Sequence, residues 1–307
     1  MAAVRAPALA LDAGPGLSEK RVRLPDGCSI RIVVAGGGSP LVVFEAGTGI
    51  AASMWGTVQP RVAAETRTLA YDRAGLGGSD ADPRPRSLER FADDLDLLLD
   101  EVEPAAPVVL VGASLGGAII RMFASKHPER PVGMVFVDPA MAEAEAMRES
   151  QVRRMRRVFT VFAVFSHVGL QKPLMVGLIK YLSQLPMPEA ARTVFVRDLT
   201  SGRNALTAKR ERRETDMSPS RLSQLQNAGL PDVPVTTLVG ELVHRREPPG
   251  LREALQTAAR AEMQAHPRGR FVLAANGGHF IPHQETDLVV EEILRVVRTV
   301  RQDEHHP

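Results

Sequence analysis

The sequence has little of several features that mark other classes of protein. It contains one cysteine, Cys28, among 307 residues. A single cysteine excludes an internal disulfide and a cysteine-based metal site, and it suits a reducing compartment. The formal net charge of +2 is too small to indicate nucleic-acid binding. No H-E-x-x-H, paired cysteine or phosphate-binding loop occurs, so we expect no metal or organic cofactor.

Long apolar runs are also missing. A membrane span needs roughly 18 consecutive apolar residues, and polar residues and a proline interrupt the nearest candidate, residues 158–182. The first residues, MAAVRAPALALDAGPG, lack the longer apolar stretch of a secretory signal. We therefore expect a cytoplasmic protein without a membrane span. Its hydrophobic content of 44% is an ordinary globular value, so a sizeable core can form.

Strand and helix signals alternate in two regions of the chain. Short runs rich in β-branched residues are typical of strands buried on both faces, and stretches with helical periodicity separate them. The predicted strands are Val22–Leu24, Ile30–Ala35, Leu41–Glu45, Thr68–Tyr71, Val108–Val111, Val132–Val137, Val235–Val239 and Arg270–Leu273. The predicted helices are Arg90–Leu99, Ala118–Ser125, Gly250–Ala265 and Thr286–Val300. This alternation predicts an α/β protein whose mostly parallel central sheet is flanked by helices.

The middle of the chain differs from its two flanks. Residues 140–229 carry no signal for a buried strand, are rich in Met, Phe, Leu and Arg, and are broken at prolines. We predict that 140–229 form a helical cap inserted into one α/β core, whose two parts are residues 20–139 and 230–302. Within the cap, the charged run Lys209–Arg213 favours a solvated helix face, with guidance of an anionic substrate as the alternative.

The most informative segment is Gly112-Ala113-Ser114-Leu115-Gly116, which follows an apolar strand and precedes a helix. A G-x-S-x-G sequence in this context is a nucleophile elbow, a sharp and strained turn that exposes the serine hydroxyl. The glycines leave room where a side chain would collide with the neighbouring strand or helix. The segment predicts that Ser114 is an enzymatic nucleophile.

A serine hydroxyl is a poor nucleophile near neutral pH, so it needs a base and a group that orients the base. His279 follows the last predicted strand and lies at the sheet edge where the elbow also lies, which makes it the candidate base rather than a loop histidine without a role. Asp138 ends the strand after the nucleophile helix, at the same edge, and could orient the imidazole. Two alternatives stay open: Asp138 could cap the turn before Pro139, and Glu241, just after the next strand, could be the acid.

The oxyanion formed during acyl transfer needs two main-chain N–H groups aimed at one point. Leu115, at the helix start after the nucleophile, supplies one of them. We expect the other from Thr48, because Gly47 and Gly49 on either side let its backbone turn inward. Both glycines are also expected to line the substrate site. The alternative for this loop is a plain strand-to-helix turn.

Together these motifs resemble the α/β-hydrolase superfamily over nearly the whole chain. Residues 112–140 are similar to the family's elbow, helix and sixth strand, and GGHFIPHQETD at 277–287 is similar to its histidine loop. YDRAGLGGSD at 71–80 resembles its D-x-x-G-x-G-x-S loop, which implies structural roles for Asp72, Arg73 and Ser79. The resemblance implies an α/β-hydrolase fold with an inserted helical cap, of the serine-nucleophile, esterase- or lipase-like branch.

The chain departs from the family pattern at two places. Most relatives have His-Gly in the oxyanion loop, whereas this chain has Ala46-Gly47; a main-chain donor survives this change, but the support of the loop must differ. The commoner acid position, a few residues past Gly240, holds no aspartate, and some branches carry the acid after the sixth strand, where Asp138 falls. The resemblance therefore favours Asp138. Dehalogenases and epoxide hydrolases have aspartate at the elbow, so a serine argues against their chemistry.

These features predict a serine hydrolase that cleaves small to medium, largely apolar carboxylic esters through an acyl-enzyme. Amide or peptide cleavage, as in proline iminopeptidases, and C–C bond hydrolysis are alternatives, as is a non-catalytic ligand-binding protein of the same fold. We expect an acyl pocket under the cap, with Phe159 and Phe162 binding substrate. The arginines at 153–157 favour a solvated helix face, with weak contact to a lipid surface as the alternative. The sequence does not indicate an oligomeric state.

Overall fold

A single eight-stranded sheet forms the centre of the protein. The computed structural model describes residues 16–104, 106–147, 184–244 and 247–305. The strands are β1 (Ser18–Arg23), β2 (Ser29–Ala35), β3 (Leu41–Glu45), β4 (Thr68–Tyr71), β5 (Val108–Ala113), β6 (Pro131–Val137), β7 (Val235–Gly240) and β8 (Gly269–Ala274). Their spatial order is β1-β2-β4-β3-β5-β6-β7-β8. β2 pairs antiparallel with β1 and β4, and all other neighbours are parallel. The predicted α/β class with a mostly parallel sheet is confirmed.

Helices connect the strands and cover the sheet. They are α1 (Gln59–Val62), α2 (Leu88–Val102), α3 (Leu115–Lys126), α4 (Glu189–Leu199), α5 (Gly202–Glu214), α6 (Pro219–Asn227), α7 (Leu251–Ala265), α8 (Ile281–Gln284) and α9 (Thr286–His305). The described residues between β6 and β7 contain α4, α5, α6 and a helical stretch at 142–147, and no strand. This composition agrees with an inserted helical segment, while its limits at 140 and 229 stay a prediction. Phe159 and Phe162 lie outside the described residues.

Several helix ends differ from the sequence prediction for local reasons. α2 begins two residues early because the Ser87 hydroxyl accepts the N–H of Arg90 and caps its first turn. α3 begins at Leu115 rather than Ala118, because its first turn contains two glycines, which are poor helix formers and suggested a later start. α9 continues to His305, five residues past the predicted end.

Apolar side chains bury both faces of the sheet. One core cluster joins strand residues to α2 and α3 through side chains such as Leu95 and Phe123. The other joins them to α1 and α9 and contains Phe44, Trp55 and Ile293. The rings of Phe44, in β3, and Trp55, in the 3-10 helix Ala52–Trp55, pack with centroids 5.0 Å apart. These two layers hold the carboxyl ends of the parallel strands in fixed positions.

The strand order reverses between β3 and β5. These strands are neighbours, but the chain leaves β3 towards β4 on one side and leaves β5 towards β6 on the other. In open α/β sheets, ligands bind at such a switch point, in the crevice beyond the carboxyl ends of the strands. Glu45 and Gly112 are register partners there. The two loops predicted to act in catalysis therefore begin side by side, at Ala46 and Ser114.

Candidate active site

Ser114 occupies the tight turn between β5 and α3. Its backbone has φ 53° and ψ −118°, a conformation that is costly for a residue with a side chain. A Cβ atom on Gly112 would lie 2.5 Å from the carbonyl oxygen of Gly116, and one on Gly116 would lie 2.4 Å from that of Glu45. Only glycine fits at either position. The side chain of Ser114 is half-buried, so its hydroxyl remains accessible.

Asp138 has the second unusual backbone of this kind. Among the non-glycine residues that the structure describes, only Ser114 and Asp138 have a positive φ, which is 46° at Asp138. The two turns are joined directly, because the N–H of Ser114 donates to the carbonyl oxygen of Val137 at 3.2 Å and the N–H of Ala140 donates to that of Ser114 at 3.1 Å. Strained residues cluster at functional sites, and these two lie on adjacent strand ends.

Asp138 and His279 are brought together by the fold across 141 positions of sequence. Oδ2 of Asp138 lies 2.7 Å from Nδ1 of His279. Oδ1 accepts a hydrogen bond from Nη1 of Arg252 at 2.6 Å and a longer one from the N–H of Gly240 at 3.3 Å. Arg252 also pairs with Glu247. Both carboxylate oxygens of Asp138 are therefore occupied, and its side chain is 1% exposed.

The electrostatic surroundings keep Asp138 ionised. Burial by itself raises the pKa of this carboxyl group, but the hydrogen bond with His279 and the charges of His279 and Arg252 outweigh burial and hold the pKa at about 2. A carboxylate only accepts hydrogen bonds, so Nδ1 of His279 carries the proton. The other ring nitrogen, Nε2, is then left as an acceptor whenever the imidazole is neutral.

Glu241, the alternative acid, follows β7 directly. Its N–H donates to the carbonyl oxygen of Ala274 at 3.0 Å, which holds this part of the chain against β8. Its side chain is exposed. The Nδ1 position of His279 is occupied by Asp138 instead. The geometry thus pairs the imidazole with Asp138 rather than with Glu241.

The predicted oxyanion loop lies against the serine. A Cβ on Gly47 would lie 3.5 Å from the Cβ of Ser114. Thr48 is half-buried, between Gly47 and Gly49, which are both buried. Leu115 is the first residue of α3, and the first N–H groups of a helix have no partner within the helix. The N–H groups of Thr48 and Leu115 thus belong to two segments that approach each other at Ser114.

Two residues that support this region were missed by sequence reasoning. Arg252 falls within the predicted helix Gly250–Ala265 without a role of its own, and the predicted solvated helix face of Lys209–Arg213 includes Glu211. That assignment is wrong for Glu211, which is 0% exposed and pairs with Arg73 in the core. Arg210 is also engaged, since it donates to the carbonyl oxygens of Asp82 and Arg84. Helical periodicity alone could have assigned Glu211 to the same face as the apolar Ala208.

Ser114 Oγ and His279 Nε2 have no hydrogen-bonding partner among the residues described. The hydrogen bonds of the described residues thus include none that joins Oγ of Ser114 to Nε2 of His279. In the same parts of the chain, no group of three His, Cys, Asp or Glu side chains is arranged to hold a metal ion. A search of those residues also finds no helix with the length and apolar character needed to cross a bilayer.

The strand order, with an elbow at its switch point, defines the class of α/β-hydrolase-fold proteins. Comparison of the sequence with family models leads to the same class: the model described as "Alpha/beta hydrolase family" matches residues 32–292. The chain belongs to this family.

Individual relatives show how broad this family is. An AB hydrolase superfamily protein of Gibberella zeae is 24% identical over 296 residues, covering 85% of this chain and 87% of that one. An uncharacterized protein of Bacillus subtilis is 30% identical over 42% of this chain, and the match spans 54% of its own length. Among solved structures, a thermophilic esterase from Thermogutta terrifontis has a TM-score of 0.63 at 22% identity, covering 92% of this chain and 99% of that one. An epoxide hydrolase from Vigna radiata has a TM-score of 0.72 at 16% identity, covering 92% and 98%.

Proposed function

We propose that the protein is a serine hydrolase that cleaves small to medium, largely apolar carboxylic esters. Oγ of Ser114 attacks the ester carbonyl carbon while Nε2 of His279 accepts its proton, and Asp138 stabilises the imidazolium. The N–H groups of Thr48 and Leu115 bind the oxyanion of the tetrahedral intermediate. The alcohol leaves with the proton from His279. Water, deprotonated by His279, then attacks the acyl-enzyme and releases the carboxylic acid.

The observation that carries this proposal is the pairing at the carboxyl edge of the sheet. The only two described non-glycine residues with positive φ are the proposed nucleophile and acid, and the acid holds the histidine at 2.7 Å. A carboxylate held ionised beside Nδ1 is the arrangement that leaves Nε2 free to act as a base.

The elbow residue favours an ester over an epoxide. Family members that open epoxides or displace halides use an aspartate at the elbow, whereas this chain has Ser114. A serine forms an ester intermediate with an acyl group, which water can hydrolyse. Amide and C–C bond hydrolysis use the same three residues and remain the competing reactions. The helical insertion is rich in basic residues, which disfavours recognition of a peptide amine.

Covalent labelling tests the nucleophile. A fluorophosphonate probe is expected to label the wild type once per chain, and Ser114→Ala is expected to abolish labelling, because the probe reacts only with an activated hydroxyl. Ser53→Ala is a control at a serine in the 3-10 helix Ala52–Trp55, and it should label normally. An unlabelled wild type that still binds small ligands would contradict the proposal and favour a binding protein.

A substrate panel tests the bond type. We compare initial rates with p-nitrophenyl esters of increasing acyl length, an aminoacyl anilide and a lactone. Each assay contains the same concentration of active sites, titrated separately with the fluorophosphonate probe. C4–C8 esters are expected to be the best substrates. Faster turnover of the anilide, or of short charged acyl groups, would contradict the assignment to apolar esters.

A further inference from the structure

Arg73 lies at the centre of a buried hydrogen-bond network behind the oxyanion loop. Nη1 donates to Oε1 of Glu45 at 2.5 Å and to the carbonyl oxygen of Ala46 at 2.7 Å. Nη2 donates to the carbonyl oxygen of Gly47 at 2.7 Å and to Oε2 of Glu211 at 3.1 Å, and Nε donates to Oε1 of Glu211 at 2.9 Å. All five N–H donors of the guanidinium group are thus satisfied. The side chain is 3% exposed.

These hydrogen bonds fix the direction of the peptide groups in the loop. The C=O and N–H of a planar trans peptide point in opposite directions. Because Arg73 holds the carbonyl oxygen of Gly47, the N–H of Thr48 in the same peptide must point away from Arg73. The next peptide is held from its other end, since the N–H of Gly49 donates to Oε2 of Glu211 at 2.7 Å. Both peptides that flank Thr48 are therefore fixed by charged side chains.

Glu211 comes from α5, in the helical segment inserted between β6 and β7. α5 rests directly on the loop, because a Cβ on Gly49 would lie 2.3 Å from the Cβ of Ala208. The same face of α5 holds the loop after β4: Thr207 donates to the carbonyl oxygen of Gly75 at 2.8 Å, and Asn204 accepts the N–H of Gly77 at 3.0 Å. This part of the insertion is bound to the core as a fixed wall of the site.

The network accounts for the loop's unusual sequence. Relatives with His-Gly at this position have a polar side chain where this chain has Ala46, which is buried and offers only its backbone. Support must come from elsewhere, and Arg73 supplies it by binding the carbonyl oxygens of Ala46 and Gly47. Arg73 in turn needs its charge balanced, and Glu211 provides a two-point contact.

We propose that Glu211 is a positioning residue for catalysis: through Arg73 and the N–H of Gly49, it holds the N–H of Thr48 in the direction that binds the oxyanion. This role rests on the proposed function, because it requires acyl transfer at Ser114. Glu211 itself touches no reacting atom. Removing the Glu211 carboxylate is expected to weaken binding of the transition state far more than binding of the substrate, because the oxyanion forms only during the reaction.

The test compares Glu211→Gln with Glu214→Gln. Glutamine keeps the size of Glu211 and removes the charge of one of the two carboxylates that pair with Arg73. Glu214 is a matched control on the same helix: it joins α5 to the core through the N–H of Arg86 at 3.1 Å and has no contact with the oxyanion loop. The concentration of active sites is titrated with the fluorophosphonate in a parallel sample, so that unfolded protein does not count. The kcat and KM for p-nitrophenyl butyrate are then given per titrated site. Inhibition by a short-chain trifluoromethyl ketone, whose adduct with serine carries an oxyanion, is measured in parallel.

Glu211→Gln is expected to lower kcat roughly 10- to 100-fold, with KM changed by no more than about threefold, because a small displacement of a catalytic group has this cost. The affinity of Glu211→Gln for the trifluoromethyl ketone should fall by a similar factor. Glu214→Gln should keep kcat within about threefold of the wild-type value. The proposal is overturned if Glu211→Gln turns over normally, if it changes KM alone, or if Glu214→Gln loses as much kcat. Failure of the proposed function is distinguishable, because then the wild type itself would not be labelled at Ser114.

Discussion

Replacing Asp138 by asparagine exchanges one oxygen for an NH₂ group in a side chain with partners on both sides. One oxygen accepts from Nδ1 of His279, and the other accepts from Arg252 and Gly240. If the amide NH₂ faces His279, Nδ1 must become the acceptor and Nε2 takes the proton. It can then no longer accept one from Ser114. If the NH₂ faces Arg252 instead, two groups of donors meet in a buried site. The first orientation disables the base, and the second leaves buried donors without an acceptor.

The expected loss of kcat is about 10⁴-fold, the magnitude that a wrong histidine tautomer causes in a serine protease triad. Stability should fall as well. Each pKa unit corresponds to ~1.36 kcal/mol, and the pKa of Asp138 is lowered from its usual 3.8 to about 2. The carboxylate therefore contributes about 2 kcal/mol to the free energy of unfolding at pH 7. Because the pKa is lower in the folded state, this contribution is complete above about pH 4 and is lost as the pH falls towards 2.

Two measurements check this prediction. The kcat for p-nitrophenyl butyrate is determined per folded chain, with the folded fraction taken from the urea transition, for Asp138→Asn and for Glu241→Gln, which changes the exposed alternative acid. Urea unfolding at pH 7 and pH 3 then shows whether the difference in stability between wild type and Asp138→Asn narrows in acid. The reasoning is refuted if Asp138→Asn keeps more than about a tenth of the wild-type kcat, or if Glu241→Gln is the variant that loses activity.

Two further predictions concern the loops around the site. Burial lowers the pKa of His283 to about 4, below its usual 6.5. Between these two pH values the unfolded chain binds a proton that the folded protein does not, so the free energy of unfolding should fall by about 3 kcal/mol as the pH drops from about 6.5 to 4. Urea unfolding at pH 7.5 and pH 5 should show that the free energy of unfolding depends less on pH in His283→Leu than in the wild type. An equal pH dependence would contradict the low pKa of His283. Gly49→Ala should lose both stability and kcat, because Gly49 has φ +69° and its Cβ would lie 2.3 Å from that of Ala208. Gly229→Ala is the control, because Gly229 has φ +78° in open space and its replacement should cost only about 1 kcal/mol of stability. Equal kcat in the two variants would count against the close contact between Gly49 and Ala208.

Local sequence was sufficient to find the individual elements of the site. The β-branched runs located β3, β4, β5 and β6, because a strand buried on both faces requires continuous apolar residues. The prediction for β1 was less accurate: Val22–Leu24 was expected, whereas the strand spans Ser18–Arg23 and is largely exposed. The glycines at 112 and 116 marked the elbow, because a close approach of backbones leaves no space for a Cβ. The same pattern placed Ser114, Asp138 and His279 each at the end of a strand. In a parallel sheet, those ends share one edge.

Tertiary structure decided what those residues touch. The choice of Asp138 over Glu241 depended on which carboxylate reaches Nδ1 of His279, and both follow neighbouring strands. The buried pair of Arg73 and Glu211 spans 138 positions of sequence. Helical spacing places Glu211 on the face of Ala208, but nothing in the sequence shows that Arg73 is its partner. Burial of a charge is favourable only where a partner and hydrogen bonds meet it. Sequence spacing therefore determined the elements and the edge at which they meet, whereas the packing of distant segments determined which polar groups are paired.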